Sequence, residues 1–281
     1  MLKSAIGSLL YRLLPNHIVW KRLNDEEKQL VFDACSIHNN AHYANPGQYD
    51  TEHKRSEDVL ATYEGRILKE SLREFKPQTV LEVGPGTGYY LPIVLGQDSV
   101  VSYLGIDIVK PFLQYIEKNV VNQYPGKKIV LHYGTIFDCD VKEKYNLILF
   151  VSALHHIPNR ADVIKKCSEM LSDGGRILII EPRHGIPRVV QIIYKFIREY
   201  HKESHWKNKI NYSTHHSICL SEVKALSRIP HLMIEDMKFF CYKGDRFFRE
   251  ICKTKYGGLF LKYIPIIHLF SRQIFVVYKK V

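Results

Sequence analysis

What this sequence lacks narrows it before any motif is read. No run approaches the roughly 20 apolar residues that a bilayer span needs, so a transmembrane reading is excluded. Six cysteines, Cys35, Cys139, Cys167, Cys219, Cys241 and Cys252, are scattered without a C-x-x-C pair. That spacing reads as a reduced, cytosolic chain. H-E-x-x-H is absent, and His201 with His205, four apart, has no recognisable third ligand, so no metal site is expected. G-x-x-x-x-G-K-[ST] is also missing, which excludes a P-loop. Met1 to Trp20 is apolar and basic but has no uninterrupted apolar region ending in small residues, which reads against a secretory signal.

What is present suits an α/β domain with additions. A chain of 281 residues that is 46% hydrophobic can bury a full core. Its net charge of +11 favours something anionic: nucleic acid, a phospholipid surface or a phosphorylated substrate. The charge is local, because residues 183–255 hold 15 Lys/Arg against 7 Asp/Glu.

The informative stretch is Thr79 to Tyr90, TVLEVGPGTGYY. Thr79 to Val83 reads as a short buried strand, cut off by Gly84-Pro85-Gly86-Thr87-Gly88. Alternate glycines remove Cβ atoms where the chain turns toward a helix, so backbone amides can approach a ligand closely. A dinucleotide loop wants G-x-G-x-x-G, and here the third glycine comes one residue early. Glu82, just ahead of the loop, would repel a pyrophosphate but suits a ligand bearing an ammonium group.

Leu2, Ile6, Leu9, Leu10, Leu13 and Leu14 recur at helical spacing beside basic residues, as in an interfacial membrane helix or one docked on its own core. Asn24-Asp25-Glu26-Glu27 caps a helix running toward Cys35, and Asn39 to Thr51 reads as a loop. Ser56 is expected to cap a helix that ends at Pro77. Beyond the glycine loop, strands are expected over Val100–Ile106, Lys128–His132, Tyr145–Val151 and Arg176–Ile180. Helices are expected over Lys110–Val121 and Arg160–Leu171. The alternation predicts a mostly parallel sheet with helices on both faces, whose ligands sit at the carboxyl ends of the strands. Ile186 to Tyr200 and a segment from Ser221 read as helices, and Met233–Tyr242 and Gln273–Tyr278 as the last strands. Tyr256 to Ile267 is unusually apolar for a connection and could line a substrate pocket, rest on a membrane or cover its own sheet.

At the strand ends, Asp107 follows the second strand about twenty residues past the glycine loop, where a carboxylate can accept both hydroxyls of a ribose. The third strand runs into Gly134-Thr135-Ile136, and the fourth into Ser152-Ala153-Leu154-His155-His156-Ile157-Pro158. The fifth follows Asp173-Gly174-Gly175 and leads to Glu181-Pro182. These motifs, in this order over Thr79 to Pro182, resemble class I S-adenosylmethionine-dependent methyltransferases. The resemblance implies a Rossmann-like seven-stranded, mostly parallel sheet with an N-terminal helical lid and a C-terminal insertion. It divides the chain into a 1–55 extension, a 56–182 cofactor-binding core and a 183–281 substrate-binding part.

The resemblance further implies S-adenosyl-L-methionine as cofactor, held by Glu82, Gly84, Gly86, Gly88, Asp107, Ile108 against the adenine, Thr135, Ile136 and Val151. The family often places an acid where Thr135 stands. Either the Thr135 hydroxyl, the Ile136 backbone or Asp138 takes that role. An Asp-Pro-Pro-Tyr or Asn-Pro-Pro-Tyr motif is missing after the fourth strand, which disfavours an amino-nucleobase substrate. A hydroxyl nucleophile must lose a proton, and histidine, with an unperturbed pKa of about 6.5, is the usual base. His155, His156 and His184 all follow strand ends and are the candidates. The expected reaction is O-methylation of a small molecule or a glycan- or lipid-type intermediate, phosphorylated or not, by a cytoplasmic enzyme with peripheral membrane contact as a further expectation. The rival readings are an RNA methyltransferase, a non-catalytic cofactor-binding module and a nicotinamide oxidoreductase.

Overall fold

A computed structural model describes residues 9, 13–42, 45–52, 58–199, 217–240, 271 and 273–281. The helices are α1 (Asn16–Trp20), α2 (Asp25–His42), α3 (Pro46–Glu52), α4 (Tyr63–Phe75), α5 (Leu91–Leu95), α6 (Lys110–Asn119), α7 (Arg160–Met170), α8 (Ile186–Glu199) and α9 (Leu220–Leu226). The strands are β1 (Thr79–Val83), β2 (Ser102–Asp107), β3 (Lys128–Tyr133), β4 (Tyr145–Val151), β5 (Leu171–Pro182), β6 (Leu232–Phe240) and β7 (Gln273–Lys280).

They form one seven-stranded sheet in the order β3-β2-β1-β4-β5-β7-β6. The pairs among β1 to β5 are parallel, and β7 runs antiparallel between β5 and β6. Both faces are covered, so neighbouring residues of one strand enter opposite core layers and the central strands read as continuous apolar runs. Leu81, Ile148, Phe150 and Ile179 pack in one layer; Val80, Leu147, Leu149 and Leu178 pack in the other. The chain therefore has the expected Rossmann-like architecture.

Several local expectations change. Residues 39–52 are largely helical: α2 continues to His42, and α3 starts at Pro46 behind Asn45, whose Oδ1 accepts from the Gln48 amide at 3.2 Å. Proline is favoured at a first helical position, where its missing N–H costs nothing. The helix expected behind Ser56 begins instead at Tyr63, because the Thr62 hydroxyl accepts from the Gly65 amide at 3.0 Å. Ser56 lies outside the described residues, as do most of the amphipathic stretch Leu2–Leu14, the Tyr256–Ile267 segment, and His201 and His205. The fifth strand starts at Leu171, five residues early, and takes in the glycine turn through a register shift opposite Tyr145 and Leu147. The expected capping box at Asn24 is present: the Glu27 amide donates to Asn24 Oδ1 at 2.8 Å.

Candidate active site

β1, β2 and β4 end side by side, and the loops behind them wall one cavity of about 500 Å³. That is a volume suited to a nucleoside-sized ligand. Gly84 sits at φ 73°, and a Cβ there would come 2.7 Å from the Ala153 methyl, so only glycine lets the β1 and β4 loops approach this closely. Gly88, at φ 79°, does something different. A Cβ on it would meet the Leu91 and Ile116 side chains, so this glycine admits the packing of α5 and α6 rather than the ligand.

Asp107 closes β2. Its Oδ1 accepts from the Val109 amide at 2.8 Å and its Oδ2 from the Gly86 amide at 3.1 Å. Burial pushes its carboxyl from 3.8 up to about 6, against the pull of the Val109, Gly86 and Ile108 amides. The β3 loop adds Gly134, Thr135, Ile136 and Phe137. Asp138 turns back onto this loop: its Oδ2 accepts from the Thr135 amide at 2.6 Å and the Thr135 hydroxyl at 3.0 Å. Those two bonds hold the exposed Asp138 carboxyl below the usual carboxylate range.

The β4 loop supplies Val151, Ser152, Ala153 and His156. Ser152 holds a left-handed φ of 54°, a conformation costly for a residue with a side chain and common where the backbone is bent for function. Glu181, fully buried at the end of β5, fixes this loop from behind. Its Oε1 accepts from the Ala153 amide at 2.7 Å and the Leu154 amide at 2.6 Å, and its Oε2 lies 2.6 Å from His155 Nδ1. Arg160, also buried, donates through Nε to the carbonyls of Leu154 and Ile157, through Nη2 to that of His155, and through Nη1 to Glu222.

Of the residues singled out from the sequence, Gly84, Gly86, Asp107, Ile108, Thr135, Ile136, Val151 and His156 meet on this one wall. Glu82, Gly88, His155 and His184 are not among the lining residues. Glu82 is buried beneath the site, where its Oε2 accepts from the Tyr103 hydroxyl at 2.8 Å. His155 stands behind the wall on Glu181, its ring 4.0 Å from that of His156. His184 is placed by its backbone, whose N–H donates to the Ile218 carbonyl at 2.8 Å.

Sequence reasoning missed the near-N-terminal wall: Phe32, Asp33 and Cys35 from α2, and Tyr49 from α3. On α3, Tyr49 packs on Phe112 with ring centroids 5.2 Å apart, and its neighbour Asp50 accepts from the Thr87 hydroxyl of the glycine loop at 2.6 Å. Burial pushes the Cys35 thiol up to about 11, so it is neutral there. It also missed Glu181, although an acid ending an otherwise apolar strand was a visible signal.

A family model described as a methyltransferase domain matches residues 52–228. No curated protein matches the sequence. Among solved structures, the plantazolicin methyltransferase BpumL, in complex with a monoazolic desmethylPZN analog and SAH, superimposes with a TM-score of 0.54 at 16% identity, over 90% of this chain and 96% of that one. An S-adenosylmethionine-dependent methyltransferase from Clostridium acetobutylicum ATCC 824 gives 0.52 at 15%, covering 83% and 96%. StiE O-MT, residues 961–1257, gives 0.50 at 14%, covering 76% and 72%. At such identities the likeness is one of fold.

Proposed function

The chain belongs to the S-adenosylmethionine-dependent methyltransferase family, and from that membership we propose that it methylates a hydroxyl of a small molecule, with His156 as the base. The observation that carries this reading is the convergence on one cavity of the glycine loop, the Asp107 carboxylate and a histidine.

The residues fit the cofactor. Asp107 keeps acceptor capacity beyond its amide bonds and stands where ribose hydroxyls can donate to it. The left-handed Gly84 and Gly86 present backbone without a side chain to the cavity. Ile108, Ile136 and Phe137 offer apolar surface to a purine. When bound, S-adenosylmethionine supplies a methyl group made electrophilic by its sulfonium. The protein's part is to hold the acceptor in line and take its proton. His156 is the proposed base, because of the three candidate histidines it is the one on the cavity wall. His155 is then a positioning residue, tied to Glu181.

Phe32 and Tyr49 make the remaining wall aromatic, which supports a small, partly apolar acceptor. Two fold neighbours point the same way by name, one a methyltransferase of plantazolicin and one an O-MT. The same reading assigns 1–55 to a cover over the acceptor, 56–182 to cofactor binding and 183–281 to the substrate side. Val190, Tyr194 and Ile197 stand 59%, 63% and 66% exposed along one stripe of α8. With the positive surplus of residues 183–255, that stripe supports peripheral contact with an anionic membrane.

The test is to incubate the protein with methyl-labelled S-adenosylmethionine and a panel of phenols, aliphatic alcohols, amines and RNA. Label should pass to hydroxyl compounds. Transfer to amines or RNA alone would overturn the hydroxyl reading.

A further inference from the structure

We propose that His17, Cys219 and Glu222 bind a zinc-class divalent cation that pins α1 to α9. One ligand atom from each lies within 4.8 Å of the others, although His17 and Cys219 are far apart in the sequence. None of the three lines the cofactor cavity.

Two of the three carry buried atoms with no hydrogen-bond partner among the described residues. Glu222 is 1% exposed; its Oε2 accepts from Arg160 at 2.9 Å, while its Oε1 is buried and meets no donor among those residues. His17 Nδ1 is likewise buried and meets no partner among them. Buried polar atoms are nearly always satisfied, so an orphan carboxylate oxygen and an orphan imidazole nitrogen in one cluster need an explanation. No hydrogen bond joins the two residues, and a thiol closes the group. One cation at the centre would satisfy both orphan atoms and bind the Cys219 sulfur, which already accepts from the Glu222 amide at 3.4 Å and lies 3.1 Å from Ser221 Oγ.

The donor set selects the ion. Thiolate, imidazole and carboxylate together suit zinc, at about 2.0–2.3 Å from each ligand, which places tetrahedral ligand atoms about 3.4–3.7 Å apart. Magnesium and calcium prefer all-oxygen shells. Binding breaks the Cys219 S–H bond, sends the proton to solvent and forms the sulfur–metal bond. Thiolate and carboxylate charges then face the dication, and Arg160 stays on Glu222 Oε2. Because Arg160 also holds the Leu154, His155 and Ile157 carbonyls, the ion would brace the loop that carries His156.

The full-length protein, stripped with a chelator and reloaded with cobalt(II) and then zinc, tests this by metal content after desalting and by absorption. One equivalent should remain, and the cobalt form should show a thiolate charge-transfer band in the near ultraviolet. Cys219→Ser should abolish the band, and Cys219→Ser and His17→Gln should each weaken zinc binding at least about 100-fold, whereas Cys139→Ser should leave it unchanged. Should Cys219→Ser not fold, His17→Gln carries the mapping. Well under one equivalent in the wild type, leaving water as the occupant, or affinity unchanged in the variants, overturns the site. Neither readout depends on the methyl-transfer reaction.

Discussion

The Gly86 amide donates to Asp107 Oδ2 at 3.1 Å, so the glycine loop and the end of β2 are held together by the carboxylate proposed to receive the ribose. Burial lifts that carboxyl from 3.8 to about 6. The fold without cofactor thus holds the proton more tightly than the unfolded chain does. This contribution to stability is fully present below about 3.8 and is lost as pH rises through about 6. Ribose hydroxyls need the ionised form, so cofactor affinity has the opposite sign. S-adenosylhomocysteine should bind about tenfold more weakly at pH 5 than at pH 7, with a proton released on binding near pH 6. Calorimetry in two buffers of different ionisation heat measures both, and a flat affinity across that range would contradict the role of Asp107.

Glu181 receives two amides and lies against His155, all of them buried. Removing the carboxylate in Glu181→Ala takes the acceptor from the two buried amides and the partner from His155 Nδ1, and should cost about 3 kcal/mol or more of folding stability. Urea unfolding measures it. A loss under about 1 kcal/mol would show that the β4 loop is held by other contacts.

General-base catalysis is typically worth 10²–10⁴-fold. Once a substrate is in hand, His156→Ala should lower kcat by that factor while S-adenosylhomocysteine affinity stays within about threefold. A variant that keeps more than a tenth of wild-type kcat would leave proximity, or an acceptor already ionised, to carry the reaction.

If the exposed stripe of α8 meets a membrane, the protein should sediment with vesicles containing phosphatidylserine and come off as salt rises. Val190→Glu with Ile197→Glu should abolish sedimentation. Equal sedimentation with neutral vesicles, or none at low salt, would contradict an electrostatically assisted contact.

The strand-end chemistry was legible because β1, β2 and β4 each announce their own ends: an apolar run, then glycines, an acid, or Ser-Ala-Leu-His-His. Local rules could not choose between neighbouring signals. Thr62 rather than Ser56 caps α4, and the Asn45-Pro46 pair that looked like loop punctuation starts a helix. What was hidden is long-range. Tyr49 lies at the cavity where it packs on Phe112 and where its neighbour Asp50 meets Thr87, 37 residues on, and nothing in either local sequence states those pairings. Two adjacent histidines are equivalent in sequence. The carboxylate of Glu181, 26 residues beyond His155, is what separates the one behind the wall from the one on it.

The cavity is proposed to hold S-adenosylmethionine through Asp107. The most direct measurement is calorimetric titration of S-adenosylhomocysteine into the wild type and into Asp107→Ala. We expect micromolar affinity in the wild type and a loss of roughly 2–4 kcal/mol in the variant, the scale of one or two hydrogen bonds to a charged acceptor. Unchanged affinity in Asp107→Ala, or tight binding of NADH in place of S-adenosylhomocysteine, would contradict it.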